Sequence, residues 1–150
     1  MQIKGFWNRH KAEWYQKGLE HSGFPKAAMG VILPRAQKCK SFLDVGSGCG
    51  SLAIPLARAG KTVTALDASQ AMLRILDEET KKLKLKGIKP VLSEWDKAEL
   101  KAHDAVLCAN VPTLLSEPEK TIKRMDSLAR KAVFIIENAD PKGDKFYYNE

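Results

Sequence analysis

The stretch that most constrains this chain is Phe42-Leu43-Asp44-Val45-Gly46-Ser47-Gly48-Cys49-Gly50-Ser51-Leu52-Ala53. Its apolar start (Phe42, Leu43, Val45) reads as a buried strand. Three glycines then alternate with Ser47 and Cys49, and Leu52-Ala53-Ile54 opens a helical run. Strand, glycine turn and helix in that order bring the backbone of an α/β sheet close to an extended ligand. Glycine suits such a turn because it accepts positive φ and carries no Cβ to hold the ligand away. The dinucleotide fingerprint G-x-G-x-x-G would need a glycine where Ser51 stands. Here the pattern is D-x-G-x-G-x-G, with an acid two residues ahead of the first glycine.

A second strand, Thr62-Val63-Thr64-Ala65-Leu66, runs into Asp67. With an acid in the first strand and another at the end of the second, the pattern resembles motif I of the class I S-adenosylmethionine-dependent methyltransferases. The resemblance is specific from Phe42 to Asp67 and looser from there to Glu137. It implies a Rossmann-like, doubly wound α/β fold and S-adenosyl-L-methionine as the cofactor. By the same resemblance, Gly46, Ser47, Gly48 and Gly50 approach the cofactor's amino-acid and ribose portions. Asp67, with Ala68 beside it, meets the ribose hydroxyls. The Asp44 carboxylate either reaches the cofactor ammonium through water or braces the loop's own amides.

After a third strand comes Ser93-Glu94-Trp95-Asp96, where the family holds the adenine. Glu94 aligns with the acid that accepts from the exocyclic amine, and Trp95 with the amide that meets a ring nitrogen. Asp96 is the alternative acid, and Trp95 reads equally well as a core anchor. Asn110, in Ala109-Asn110-Val111-Pro112-Thr113, falls where family members contact both cofactor and substrate. Enzymes that methylate exocyclic amines of bases carry Asn/Asp/Ser-Pro-Pro-aromatic there. Val111 and Thr113 replace the first proline and the aromatic, so the stacking platform is missing. No Pro-Cys pair supplies a cytosine-5 nucleophile, and Cys49 and Cys108 read as small buried residues.

In chain order, residues 6 to 20 have helical character, with Trp7, Trp14 and Tyr15 near i, i+7 and i+8. The segment resembles the helix that precedes many small-molecule methyltransferase domains and folds over the cofactor as a lid. Docking of a fixed terminal helix on the core is the competing reading. Ser22-Gly23-Phe24-Pro25 is a break, followed by a helix through Ala27, Ala28, Val31, Ile32 and Leu33 that Pro34 bends or ends. A helix from about Cys49 to Arg58 stops at Gly60. Ser69 caps another, with Met72, Ile75, Leu76 and Leu83 inward and Gly87 closing it.

Strand three is Ile88 to Ser93, where Pro90 suggests an edge. Strand four is Asp104 to Ala109. A capping box of Ser116 and Glu119 opens the next helix, and strand five is Ala132 to Glu137. Alternating strands and helices imply a mostly parallel sheet of about five strands with helices on both faces. One domain is expected, with residues 1–40 as helical lid segment and 41–150 as cofactor-binding core.

The length of 150 residues suffices for a single packed core. Three cysteines without a CxxC pair, and no clustered histidines, argue against a disulfide framework and against any metal site. A reducing cytoplasm is the natural inference. No apolar run approaches the ~20 residues of a bilayer span, so no membrane role is expected. The formal net charge of +7 would favour acidic partners, RNA among them. The densest run, Lys81-Lys82-Leu83-Lys84-Leu85-Lys86, sits at a helix end, where cations suit the dipole. It reads as a solvated helix end rather than a nucleic-acid patch.

A sulfonium methyl is already an excellent electrophile, so transfer needs chiefly positioning of the nucleophile. No compelling base is present: His103 lies just before strand four, at the wrong sheet edge. His10 and Glu13, on the lid segment, could reach a substrate but read rather as solvent-facing. A small-molecule methyltransferase is the leading expectation. An RNA or protein methyltransferase, and a cofactor-binding module without turnover, compete with it. The family sheet usually has seven strands, and only Asn138 to Glu150 follow strand five. Strand five is then expected to be an uncovered edge. It would be completed in a longer enzyme, paired in a homo-oligomer, or covered by Phe146-Tyr147-Tyr148.

Overall fold

The computed structural model describes residues 5–137. The Phe146-Tyr147-Tyr148 tail therefore lies outside the described residues. In order, the elements are α1 (Arg9–Ser22), α2 (Phe24–Arg35), β1 (Ser41–Val45), α3 (Ala53–Arg58), β2 (Thr62–Asp67) and α4 (Gln70–Lys82). There follow β3 (Ile88–Leu92), β4 (His103–Ala109), α5 (Pro112–Leu115), α6 (Pro118–Leu128) and β5 (Ala129–Ile136). The sheet order is β3-β2-β1-β4-β5, and every strand pair is parallel. This is the expected doubly wound, Rossmann-like sheet. The order reverses between β1 and β4, which places a ligand crevice beyond the carboxyl end of β1.

Alternation along the strands divides the core into two layers. Phe42, Val63, Ala65, Ala105 and Leu107 face α2, α3 and α4 through Ile32, Leu56 and Leu76. Leu43, Val45, Leu66, Val106 and Cys108 face the other way, onto Met125 of α6 and Trp95. A third, smaller cluster joins Ala12 of α1 to Cys49, Met72 and Ile75, with Trp7, Tyr15 and Leu19 packed against it. Helix α2 thus shares the central core, while α1 rests on α4 and on the glycine loop.

Several expectations needed correction. Helix α3 begins at Ala53, because residues 49–52 are spent on turns, and Pro55 sits in its first turn, where no amide donor is missed. Leu83 is not inward: it caps α4 and is 40% exposed. The left-handed residue just after α4 is Lys84 (φ 49°), and Gly87 belongs to the link into β3. Ser116 and Glu119 make no capping box; Glu117 is the N-cap of α6, and Ser116 Oγ donates to the Thr113 carbonyl at 2.8 Å. Pro118 at the first helical position does the nucleating instead. Strand β5 starts three residues early, at Ala129. Ser69 caps α4 as expected, accepting from Met72 N–H at 3.3 Å, and Pro90 does lie on an edge strand.

Candidate cofactor-binding site

The loop after β1 is hung on the end of β2. Gly46 N–H and Ser47 N–H both donate to the Leu66 carbonyl, at 2.8 and 2.9 Å. Each glycine answers to a different neighbour. A Cβ on Gly46 would come within 2.5 Å of Val111 Cγ2, and one on Gly50 within 2.3 Å of Leu76 Cδ1. Gly48 (φ +56°) would meet only Met72 Sδ at 3.9 Å. Packing therefore demands glycine at the two outer positions. All three have positive φ, which by itself favours glycine, and at Gly48 this is the whole demand, since the space beside it stays open.

Two carboxylates stand at the carboxyl ends of β1 and β2. Asp67 Oδ2 accepts the Gly48 amide at 2.9 Å and Oδ1 the Ser69 amide at 2.8 Å. Asp67 is thus the acid that braces the glycine loop, a task the sequence had offered to Asp44. Asp44 is 2% exposed and accepts no hydrogen bond among the described residues. Burial pushes its carboxyl up to about 7, and the charge of Asp67 adds to the rise. Burial raises Asp67 as well, but amides of Ser69, Gly48 and Ala68 oppose it. Asp44 is accordingly the member that holds a proton near neutrality, while the amide donors favour the charged form of Asp67.

Ser47 Oγ is buried without a hydrogen-bond partner among the described residues. Buried hydroxyls are normally satisfied, so an orphan inside this loop marks a place where a non-protein group belongs. Cys49 and Cys108 are buried with thiols pushed up to about 12, chiefly by burial, which rules them out as nucleophiles.

The turn after β3 is fixed from a distance. Ser93 N–H donates to the Asp67 carbonyl at 3.1 Å. Trp95 is 7% exposed, within the core layer. The Arg124 guanidinium lies over its ring, 4.2 Å from the centroid, and donates to the carbonyls of Trp95 and Ala98. Sequence reasoning missed Arg124, which is remote in the chain and belongs to no motif. Glu94 pairs with Lys97 at 2.7 Å and Asp96 with Lys120 at 3.8 Å; both acids are on the surface of the turn.

Asn110 ends β4 in the left-handed region (φ 52°), its N–H on the Ile136 carbonyl at 2.8 Å. That bend carries Val111 over Gly46. Of the lid candidates, Trp7 and Tyr15 pair edge to face at 5.1 Å between centroids and pack against the cluster containing Cys49. Trp14 does not: it is 69% exposed and leans on His10. His103 sits at the amino end of β4, bonded to Thr64 Oγ1 and the Lys101 carbonyl, far from the loop.

A family model described as "Methyltransferase domain" matches residues 36–146. The chain belongs to the methyltransferase-domain family. An uncharacterized protein of Haemophilus influenzae is 31% identical over 139 residues, covering 86% of this chain and 51% of that protein. Magnesium-protoporphyrin O-methyltransferase of Synechocystis is 33% identical over 97 residues, 61% of this chain and 41% of that enzyme. This methyltransferase domain therefore spans about half the length of the curated relatives it matches, or less. Among solved structures, Synechocystis magnesium protoporphyrin IX methyltransferase with bound SAH superposes with a TM-score of 0.62 at 24% identity. The match covers 72% of this chain and 52% of that one.

S-adenosyl-L-methionine is the cofactor of this family. The residues present fit it. The open side of Gly48, the orphaned Ser47 hydroxyl, and two carboxylates of unequal acidity suit a ligand with an ammonium and vicinal hydroxyls.

Proposed function

We propose that this domain binds S-adenosyl-L-methionine at the carboxyl ends of β1 to β4 and serves methyl transfer to a small-molecule acceptor. The observation that carries the binding is the acid pair on the glycine loop. Asp67 keeps lone pairs free beyond its two amide bonds, so it can accept ribose hydroxyls. Asp44, buried and without a donor, gains a partner in an ammonium. Gly46, Ser47, Gly48 and Gly50 let the chain lie against the ligand. Ala68 stands beside Asp67 at the ribose, the Glu94-Trp95-Asp96 turn takes the adenine end, and Asn110 faces cofactor and acceptor together. The bound cofactor supplies an electrophilic methyl. The chain's own share is to align the acceptor and keep water away, with Trp7, Tyr15 and α1 serving as the lid, a reading supported by their packing against the Cys49 cluster.

The small-molecule reading is supported by the O-methyltransferase relative and by the missing base-stacking aromatic at Thr113. An RNA or protein acceptor is the second reading, favoured by the net charge of +7. The free, buried state of Cys39, Cys49 and Cys108 supports a cytoplasmic setting, and among the described residues no helix is long and apolar enough to cross a membrane. The edge of β5 supports self-association. Calorimetry with S-adenosylhomocysteine, the demethylated cofactor, should show saturable binding, with none for NAD. Binding of NAD alone would overturn the reading.

A further inference from the structure

The sheet gathers at one end cations that the sequence scatters. All five strands are parallel, so their amino ends lie together, on the side opposite the cofactor loop. Each strand is entered through, or begins with, a basic residue. Along the sheet these are Lys86 before β3, Lys61 before β2, Lys40 before β1, Lys101 before β4, and Arg130 in β5. At ~4.8 Å per strand the row spans about 19 Å.

These charges are largely unneutralised. Some lysines elsewhere find acids, Lys81 with Asp77, Lys97 with Glu94 and Lys123 with Glu119. Others, such as Lys17 and Lys26, are solvated singly rather than gathered in a row. Lys40, Lys86, Lys89 and Lys101 are exposed and make no ion pair among the described residues. Lys61 Nζ is held by the carbonyls of Ala36 and Cys39, which leave its charge uncancelled. Asp104, the acid at this end, is consumed by Arg130 and Lys131. A shallow depression lined by Ser41, Thr62, Gly87, Lys89 and His103 runs along the same end.

We propose that this row is a docking surface for the phosphate backbone of a duplex nucleic acid, separate from the cofactor site and independent of which acceptor that site serves. A linear track of point charges matches a linear polyanion. Among the described residues no exposed Phe, Tyr or Trp stands among the lysines, as stacking on single-stranded bases would require. Among the described residues the exposed large aromatics, Phe6 and Trp14, belong to the N-terminal segment instead. The competing account is that these lysines merely complement helix carboxyl ends, which share this end of the molecule.

Fluorescence anisotropy with a 20-base-pair DNA duplex, titrated with salt, tests the proposal on the intact chain. Binding should weaken with a log–log slope of about −4 to −5. The variant carrying Lys40→Gln, Lys86→Gln, Lys89→Gln and Lys101→Gln should lose at least thirty-fold in affinity at 100 mM salt. Its slope should flatten by about 3 to 4. A control with Lys17→Gln, Lys26→Gln, Lys120→Gln and Lys123→Gln, of equal net charge, should lose less than three-fold. Should the first variant fail to fold by circular dichroism, the pairs Lys40/Lys101 and Lys86/Lys89 are changed separately, each taking about half of the slope change. Equal losses in both variants, or no binding by the unaltered protein at 50 mM salt, would overturn the proposal. So would unchanged affinity in a variant that only melts earlier, or tighter lysine-dependent binding to phosphatidylserine vesicles than to the duplex.

Discussion

The Asp67 carboxylate holds the Gly48 and Ser69 amides, so replacing it disturbs the loop as well as any ribose contact. Asp67→Ala should weaken binding of S-adenosylhomocysteine by about 1.5–3 kcal/mol, the worth of lost charge-assisted bonds, read by calorimetry. Undiminished affinity would sink the ribose assignment. Asp44 gives a pH-dependent test. Its carboxyl titrates at about 7 in the folded protein, against an ordinary value of about 3.9. The folded state binds the proton more tightly than the unfolded chain. Ionising Asp44 therefore erodes stability as pH rises from about 4 to about 7, and the cost vanishes below about 4. Asp44→Asn removes that cost, so its melting temperature should exceed that of the parent at pH 8. The advantage, on the order of a few kcal/mol at most, should shrink towards pH 4. The same variant should bind the cofactor poorly. Affinity of the parent should fall as pH drops below 7, since an ammonium partner selects the ionised form. A flat affinity profile would show that Asp44 faces no ammonium.

At the scale of elements, α1 is the piece with a choice to make. It buries only Ala12 fully, and it meets the loop through Trp7, Tyr15 and Leu19. So thin an interface fits a segment that opens and closes while the five-stranded sheet stays put. Hydrogen exchange over residues 6 to 20 should slow several-fold when S-adenosylhomocysteine binds. Equal protection with and without ligand would leave a fixed core helix. The opposite case is β5. Its first residues, Ala129-Arg130-Lys131, look like a helix end in sequence. They are strand because they pair with the start of β4, Ala129 opposite His103. The Arg130 side chain on Asp104 at 3.1 Å and that of Lys131 on the Lys38 carbonyl at 2.6 Å fasten them there. The same Asp104 accepts the Lys40 amide at 2.8 Å, and these bonds hold its carboxyl down at about 2.

For the whole molecule, the open flank is the outer side of β5. Its ladder is unpaired on that side among the described residues, and Ile135 is 38% exposed. Apolar edges of this kind pair with another chain when concentration allows. Light scattering should show a concentration-dependent dimer, and Ile135→Lys should return it to monomer. A parent protein that stays monomeric at about 100 μM would remove β5 as the contact.

What the sequence determined by itself was local and periodic. D-x-G-x-G-x-G fixed a strand and its loop, Asp67 the end of the next strand, and the alternation of elements a parallel sheet. These are legible because each rests on neighbours in the chain. The tertiary structure decided matters that depend on residues far apart. Val111 and Leu76, not a ligand alone, require Gly46 and Gly50. Arg124 clamps the turn after β3 across 29 residues. Asp67 rather than Asp44 took the loop amides, because only its carboxylate lies where those N–H groups point. Lysines spaced some twenty residues apart became one charged row, because parallel pairing puts every strand's amino end on the same side.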